Sequence, residues 1–452
     1  MNSKFNEALT LFKKGEFLQS KNLCLEVLKE EPNNFRPFHI LALIYFKEKD
    51  FIKSRENIEE AIKIKKDSFE LYNLFAFILF NLKKFDLAIK NWNQTIKLNP
   101  DFAEAYNNKG NILFMQNKFQ DALVNYDKSI EIKKDFADAF NNRGNVLRKL
   151  NKKKDSIESY KEAIKIKPNF AQAYKNLGSI FKEINVINDS IKNYEEAIKI
   201  DPLYLDALVD LGNILQEKGE IVAALNHFIK VLKIKYNFKN LLGFFAHVKL
   251  KICQWEEIDK ILEDIEKKVA EKKQITQPWV FLTYNDSPKL QKITSEVWAN
   301  KGTGSLKVNP YKFETTQKNK KIKIGYFSCD FHNHATSLLM ANLFELHDRS
   351  KFEIIGFNIG RKIEDDMYKR VNSAFDKFFN LEDKSDSEIR NFSRTQNINI
   401  AVDLKGYTKN NRFEIFKERC APIQINYLGY PGTLGSDCMD YIIADKILIP
   451  KE

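Results

Sequence analysis

The stretch KIKIGYFSCDFHNHATSLLM, residues 321–340, decides how the C-terminal part of the chain folds. Ile322, Ile324, Tyr326 and Phe327 surround Gly325 in the pattern of a buried strand. A polar run follows, Ser328-Cys329-Asp330-Phe331-His332-Asn333-His334, and Thr336-Ser337 then opens into the apolar Leu338-Leu339-Met340. The reading is strand, loop, helix. In an open α/β sheet the loops leaving the carboxyl ends of the strands line the ligand crevice, so two histidines and an aspartate stand where chemistry is usually placed.

Downstream, residues 352–358, 378–381, 398–404, 423–428 and 439–444 are further strand candidates, with helical patterns between several of them. This alternation predicts a helix-covered parallel sheet over residues 321–452. Two more strand exits carry chemistry. One is DLKGYT at 403–408; the other, LGYPGTLG at 428–435, is a glycine-rich bend whose backbone N–H groups and Thr433 hydroxyl suit an oxyanion or sugar hydroxyls. Taken singly, a loop histidine is usually a surface residue and Gly-Tyr-Pro-Gly usually only a turn. Three such exits from one sheet, in this order, are far less generic.

Upstream of the sheet, small residues recur every 34 positions, at Ala8, Ala42, Ala76, Gly110, Gly144, Gly178 and Gly212. The twentieth position of each unit is always small: Ser20, Ser54, Ala88, Ala122, Ser156, Ser190 and Ala224. Position 24 is bulky, as Ile58, Trp92, Tyr126, Tyr160, Tyr194 and Phe228, with Cys24 the exception. Large residues facing small ones at matching depth predict two closely packed antiparallel helices per unit, joined through left-handed caps at Gly15, Asn117, Asn151, Asn185 and Gly219. A helix-turn-helix period of this length is that of tetratricopeptide repeats, here seven over residues 1–238, stacking into an α-solenoid superhelix with a concave groove. Within the first helix, the sixth position reads Asn108, Asn142, Asn176 and Asp210. Such a line of amides can hydrogen-bond the backbone of an extended polypeptide without reading its sequence. Asn6, Ile40 and Leu74 leave the line incomplete.

Residues 239–320 form a junction. A helix is expected over 244–273, with Ile252, Trp255, Ile258, Ile261, Leu262 and Ile265 at helical intervals and Trp255 in the core. Pro278, Pro288, Gly302, Gly304 and Pro310 break the rest into turns and one short helix around 290–298. Gly302-Thr303-Gly304-Ser305 reads as a turn because it lacks the preceding strand of a phosphate loop, and 318–321 reads as a basic linker.

Bulk composition narrows the classes. With 43% hydrophobic residues in 452, the chain can bury proper cores. Its net charge of +12 is spread throughout, without a basic block interleaved with aromatics, so nucleic acid is not an expected partner. No signal peptide opens the chain and no run of about 18 apolar residues occurs, so a cytoplasmic protein without membrane contact is expected. Five widely spaced cysteines without a CxxC pair suit a reducing compartment and give no metal site.

Tetratricopeptide repeats followed by IGYFSCDFHNHATSLLM, VDLKGYTKNNR and RCAPIQINYLGYPGTLGSDCMDYIIAD resemble the protein O-GlcNAc transferase family, SPINDLY-type fucosyltransferases included, over essentially the whole chain. The resemblance implies a GT-B fold, two facing Rossmann-like domains with the active site between them. It also implies inverting sugar transfer from a nucleotide donor, expected to be UDP-GlcNAc, to Ser or Thr of protein or peptide acceptors in the repeat groove, with no cofactor. Carried over residue by residue, His334 falls on the family histidine once proposed as general base and lining the sugar and acceptor pocket. Thr408, Leu428, Gly429 and Pro431 fall on positions lining the same pocket. Asn108, Asn142 and Asn176 match the family's asparagine ladder. Asn410 departs from the family pattern, since the animal enzymes have glycine there, which puts the local backbone in question.

Residues 321–452 have room for the first Rossmann-like domain of the pair. The second, which in the family supplies the uridine pocket and a lysine for the leaving diphosphate, is expected to be absent, leaving this chain inactive alone. The closing run 447–452 reads as a strand and linker cut short. His334 is expected to accept or relay the acceptor proton, and Asp330 to orient the loop or cap the helix that follows. The alternative is a non-catalytic repeat scaffold with an incomplete transferase domain.

Overall fold

A computed structural model describes residues 3–300, 321–408 and 410–444. The expected turn at 302–305, the linker at 318–320 and the closing strand at 447–449 lie outside the described residues. The chain forms two compact units, Met1–Pro202 and Leu203–Glu452.

Six helical hairpins make up the first unit: α1 and α2 (Ser3–Lys14, Phe17–Glu30), α3 and α4 (Phe35–Lys47, Phe51–Ile64), and α5 and α6 (Phe69–Asn81, Phe85–Leu98) come first. They are followed by α7 and α8 (Ala103–Met115, Phe119–Ile132), α9 and α10 (Ala137–Lys149, Lys153–Ile166), and α11 and α12 (Ala171–Glu183, Ile187–Ile200). The small residue at position 8 lets the two helices of a hairpin approach closely. A β-carbon on Gly144 would lie 2.5 Å from the Tyr160 ring, and one on Gly110 would lie 2.8 Å from Tyr126. The small residue at position 20 closes the contact by a second route, because the buried Ser156 hydroxyl donates to the Gly144 carbonyl at 2.8 Å and Ser190 donates to Gly178 at 2.7 Å. Buried phenols are satisfied inside the hairpin as well, Tyr126 donating to Asn111 at 2.7 Å and Tyr160 to Asn145 at 2.8 Å. The expected left-handed caps are present at Gly15, Asn117, Asn151 and Asn185, and Lys49 and Lys83 adopt the same conformation without glycine or asparagine.

The second unit opens with a seventh hairpin of the same kind, α13 and α14 (Leu205–Glu217, Ile221–Ile234), with Gly219 at its left-handed turn. Beyond it the expected helix over 244–273 is two helices, α15 (Leu241–Lys251) and α16 (Ile258–Ala270). Positive φ at Cys253 and Glu257 breaks the helix, and Trp255, expected in the core, sits in the break at 61% exposure. Its helical spacing from Ile258 carried no information because the backbone between them is not helical. Two short helices follow, α17 (Pro278–Phe281) and α18 (Pro288–Ala299), the second at the expected place.

The sheet is six-stranded and wholly parallel, in the order β3-β2-β1-β4-β5-β6. Its strands are β1 (Ile322–Ser328), β2 (Phe352–Asn358), β3 (Lys377–Asn380), β4 (Ile400–Asp403), β5 (Ile423–Tyr427) and β6 (Tyr441–Ile443). Helices α19 (Ala335–Leu346), α20 (Asp366–Ala374), α21 (Asp386–Thr395) and α22 (Glu414–Lys417) lie between the strands in sequence. One face buries Ile324, Tyr326, Ile354 and Val402 with Met340 and Phe344 of α19 and Val371 of α20. The other buries Phe327, Phe357 and Ala401 with Ile389 of α21 and Phe416 of α22, and the junction residues Trp279, Leu282 and Trp298 pack against it. Burial on both faces is why these strands read as nearly continuous apolar runs.

Candidate active site

Strand order reverses between β1 and β4: the chain winds outward from β1 to β2 and β3, then returns to place β4 on the other side of β1. The carboxyl ends at such a reversal diverge, and the crevice between their loops is where open α/β sheets hold ligands. Here those loops are 329–334 after β1 and 404–408 with 410–411 after β4, with 428–435 after β5 alongside.

The three exits are tied by direct contacts. Lys405 Nζ lies 2.5 Å from Asp330 Oδ2 across the reversal, and both side chains are nearly buried. The Cys329 thiol donates to the Asn410 carbonyl at 3.0 Å. Tyr407 donates its hydroxyl to the Leu434 carbonyl at 2.6 Å and stacks edge-on against Tyr430. Closest of all is the backbone, because a β-carbon on Gly429 would lie 1.8 Å from the Leu404 carbonyl oxygen. Only glycine fits there, and no rotamer change could make room.

His334 is the N-cap of α19. Its ring Nδ1 accepts the Thr336 N–H at 3.2 Å, with Asp330 Oδ2 3.6 Å away. Asp330, expected as a possible helix cap, does not cap: its carboxylate faces Lys405, its carbonyl accepts the Ser337 hydroxyl at 2.6 Å, and the capping acceptor is the histidine ring. Thr408 donates its hydroxyl to the Lys405 carbonyl at 2.9 Å, which leaves its oxygen lone pairs available to a ligand. Leu428 stands at φ +66°, a left-handed conformation that costs a non-glycine residue about 1–3 kcal/mol and is typical of functional turns. Asn410 stands at φ +61°, so the residue that departs from the family glycine is one of the few that tolerates the conformation glycine would take.

Beneath the loops, Asp403 is buried. Its two carboxylate oxygens accept the backbone N–H groups of Lys405 at 2.9 Å and Gly406 at 3.0 Å, shaping the β4 exit. Burial pushes its carboxyl up to about 6, and those two backbone donors limit the rise. Arg412 braces the same loop, reaching Asp386 at 2.6 Å and the Ile359 carbonyl at 3.2 Å.

His334, Thr408 and Gly429 therefore belong to one contact chain, running His334–Asp330–Lys405–Thr408 with Gly429 against Leu404. Pro431 stands at its edge, lining a neighbouring cleft of about 1080 Å³ bounded by Lys292, Glu296, Lys417 and Tyr441. That cleft includes neither His334 nor Thr408, so the volume lies beside the strand reversal. The bend 428–435 is also seated from outside the sheet, since a β-carbon on Gly435 would lie 2.4 Å from the Glu296 nitrogen of α18. The sequence alone assigns no role to Asp403, Lys405 or Arg412.

In the expected amide ladder, Asn142 and Asn176 donate to other asparagines of the preceding hairpin. Asn142 donates to Asn107 at 3.0 Å and Asn111 at 3.1 Å in the preceding hairpin, and Asn176 donates to Asn141 at 2.9 Å. The expectation that each amide offers both donor and acceptor to a guest polypeptide is thus corrected for Asn142, whose two amide hydrogens brace adjacent repeats. Asn108 is half-buried in the same hairpin as Asn107.

Residues 261–452 match the model of glycosyl transferase family 41. Tetratricopeptide repeat models match 35–68, 77–117, 110–151, 144–185 and 171–202. Over 131 residues the chain is 35% identical to the probable UDP-N-acetylglucosamine-peptide N-acetylglucosaminyltransferase SEC of Arabidopsis thaliana, covering 29% of this chain and 13% of that one. Over 137 residues it is 35% identical to the UDP-N-acetylglucosamine-peptide N-acetylglucosaminyltransferase of Caenorhabditis elegans, covering 30% and 12%. The matched stretch is thus a small fraction of either relative's length. A mutant O-GlcNAc transferase of Thermobaculum terrenum aligns at 18% identity and a TM-score of 0.45 over 68% of this chain and 53% of that one.

Proposed function

We propose that this chain, a tetratricopeptide-repeat protein of the O-GlcNAc transferase family, takes part in protein O-glycosylation: transfer of a sugar, GlcNAc, from UDP-GlcNAc to Ser or Thr hydroxyls of proteins held by the repeats. The observation that carries this reading is the meeting of the β1, β4 and β5 exits at the strand reversal, with His334, Thr408 and Gly429 in one contact chain.

Direct displacement at an anomeric carbon needs the acceptor hydroxyl aligned with the leaving diphosphate, the hydroxyl proton removed, and the developing negative charge stabilised. Alignment is what a rigid edge supplies, and the close seating of Gly429 on Leu404 together with the buried Lys405–Asp330 pair makes this one rigid. The glycine bend 428–435 offers backbone donors to a sugar or an oxyanion, and Thr408 offers hydroxyl lone pairs. Attack from the face opposite the leaving group gives inversion. No cofactor enters the scheme; the nucleotide sugar is a substrate.

The test is transfer of labelled sugar from UDP-GlcNAc to protein acceptors by a full-length enzyme that includes this chain and by its His334→Ala variant in parallel. Loss of about 100-fold or more in turnover, with the fold retained, is expected for a group that hydrogen-bonds reacting atoms. Equal labelling by parent and variant would end the assignment. Absence of transfer by the parent, with peptides still captured, favours the scaffold reading.

A further inference from the structure

We propose that Lys405 sets the tautomer of His334, so that the ring offers its outside partner an N–H donor at Nε2 instead of the lone pair a general base needs.

Two groups compete for His334 Nδ1. The Thr336 N–H points at it from 3.2 Å, and a ring nitrogen that accepts an amide hydrogen carries its lone pair, which in a neutral imidazole places the proton on Nε2. Against this stands Asp330, whose Oδ2 lies 3.6 Å from the same nitrogen. A carboxylate beside Nδ1 ordinarily draws a proton there and frees Nε2 to accept, the arrangement that makes a histidine a base in hydrolytic triads.

Lys405 decides between them. Its ammonium sits 2.5 Å from the very oxygen that faces the ring, and the two side chains are only 8% and 11% exposed, while the His334 side chain is 42% exposed. Attraction between the buried pair is weakly screened, so the carboxylate's charge is held by a fixed cation and has little pull left for a proton on the ring. Other charged and titratable groups near the loop are turned elsewhere. Asp403 holds backbone N–H groups of its own loop, Asp365 accepts the Asn333 N–H at 2.7 Å, and His332 meets His334 ring to ring at a 5.8 Å centroid distance without a hydrogen bond to Nδ1.

The consequence for chemistry rests on the transferase reading: His334 then donates a hydrogen bond to an oxygen of the donor or acceptor and is not the group that takes up the acceptor's proton. The tautomer itself does not depend on that reading, and its measurement can fail or succeed independently of any activity.

The experiment is nitrogen-15 NMR of the full chain labelled at histidine, recorded at about pH 8, above the ordinary histidine range. The His334 signals are identified by their loss in His334→Gln. In the parent the pyridine-like nitrogen is expected to be Nδ1, with the proton on Nε2. Lys405→Met is expected to reverse the assignment, since Asp330 loses its cation and takes the ring proton to its own side. Asp330→Asn, alone or combined with Lys405→Met, is expected to keep the parent tautomer. A parent ring protonated on Nδ1 overturns the proposal whether or not Lys405→Met folds, and so does a folded Lys405→Met with the parent's tautomer.

Discussion

The repeats and the sheet edge both rely on very close approaches, but the approaches are of different kinds. In the hairpins a small residue meets an aromatic ring: a β-carbon added to Gly144 would lie 2.5 Å from the Tyr160 ring, and the pairing returns as Gly110 with Tyr126 and Gly178 with Tyr194. At the strand exits a backbone meets a backbone, so that a β-carbon added to Gly429 would lie 1.8 Å from the Leu404 carbonyl oxygen, or a buried charge meets a buried charge, Lys405 on Asp330, and each contact occurs once. A ring can tilt and its neighbours repeat its task; a carbonyl in a strand exit can do neither. The lesson is that the array tolerates error where the strand exits do not.

The largest effect that would sharpen this contrast is Gly429→Ala. With no side chain to yield, the β4 and β5 exits must separate, and a loss of about 3 kcal/mol or more is expected in chemical denaturation of the second unit. A change within experimental error would show the edge to be as forgiving as the array. Next comes Asp403, whose folded carboxyl is raised to about 6 by burial. Its contribution to stability is complete below the unfolded carboxyl's value of about 4 and is lost as pH rises through about 6, a difference of about 3 kcal/mol. Asp403→Asn should remove that slope, and a variant whose stability still falls across the window would assign it elsewhere.

In the repeats smaller numbers are expected. Asn142→Ala removes two amide donors shared with the preceding hairpin, a loss of about 1 kcal/mol, while a fluorescence titration with an extended peptide tells how much of the ladder serves a guest. Gly144→Ala sets ring crowding against the helix propensity gained, so a net loss of about 1 kcal/mol is expected. Gly178→Ala, whose β-carbon would meet Tyr194 at 3.0 Å, should come out near neutral. If it costs more than Gly144→Ala, the ring contact is not what governs the packing of the hairpins.

Among the described residues, the six strands fall where alternation placed them, with ends moved by up to two residues, and the left-handed caps at Gly15, Asn117, Asn151, Asn185 and Gly219 are found as read. The junction was less legible. Ile252, Trp255 and Ile258 sit at helical spacing, yet the chain turns at Cys253 and Glu257, because spacing counts faces only when the backbone is already helical. In the site, His334, Thr408, Leu428, Gly429 and Pro431 were marked from the sequence, and the structure brings His334, Thr408 and Gly429 into one contact chain. Lys405 and Asp403 were passed over, since nothing local distinguishes a buried charge with a partner from a solvated one.

What the sequence determined by itself was periodicity: a 34-residue spacing of small and large residues, and strands alternating with helices. These are local burial patterns, and burial is written in the residues that undergo it. Choice of partner was left to the tertiary structure. Asp330 could have capped a helix four residues on or paired with a lysine 75 residues away; it pairs with Lys405 because the strand reversal sets β1 beside β4 and closes that distance to 2.5 Å. The histidine then caps the helix in its place, and the amides of Asn142 and Asn176 find other asparagines of the preceding hairpin, for the same reason: a buried polar group bonds to whatever the fold brings within reach.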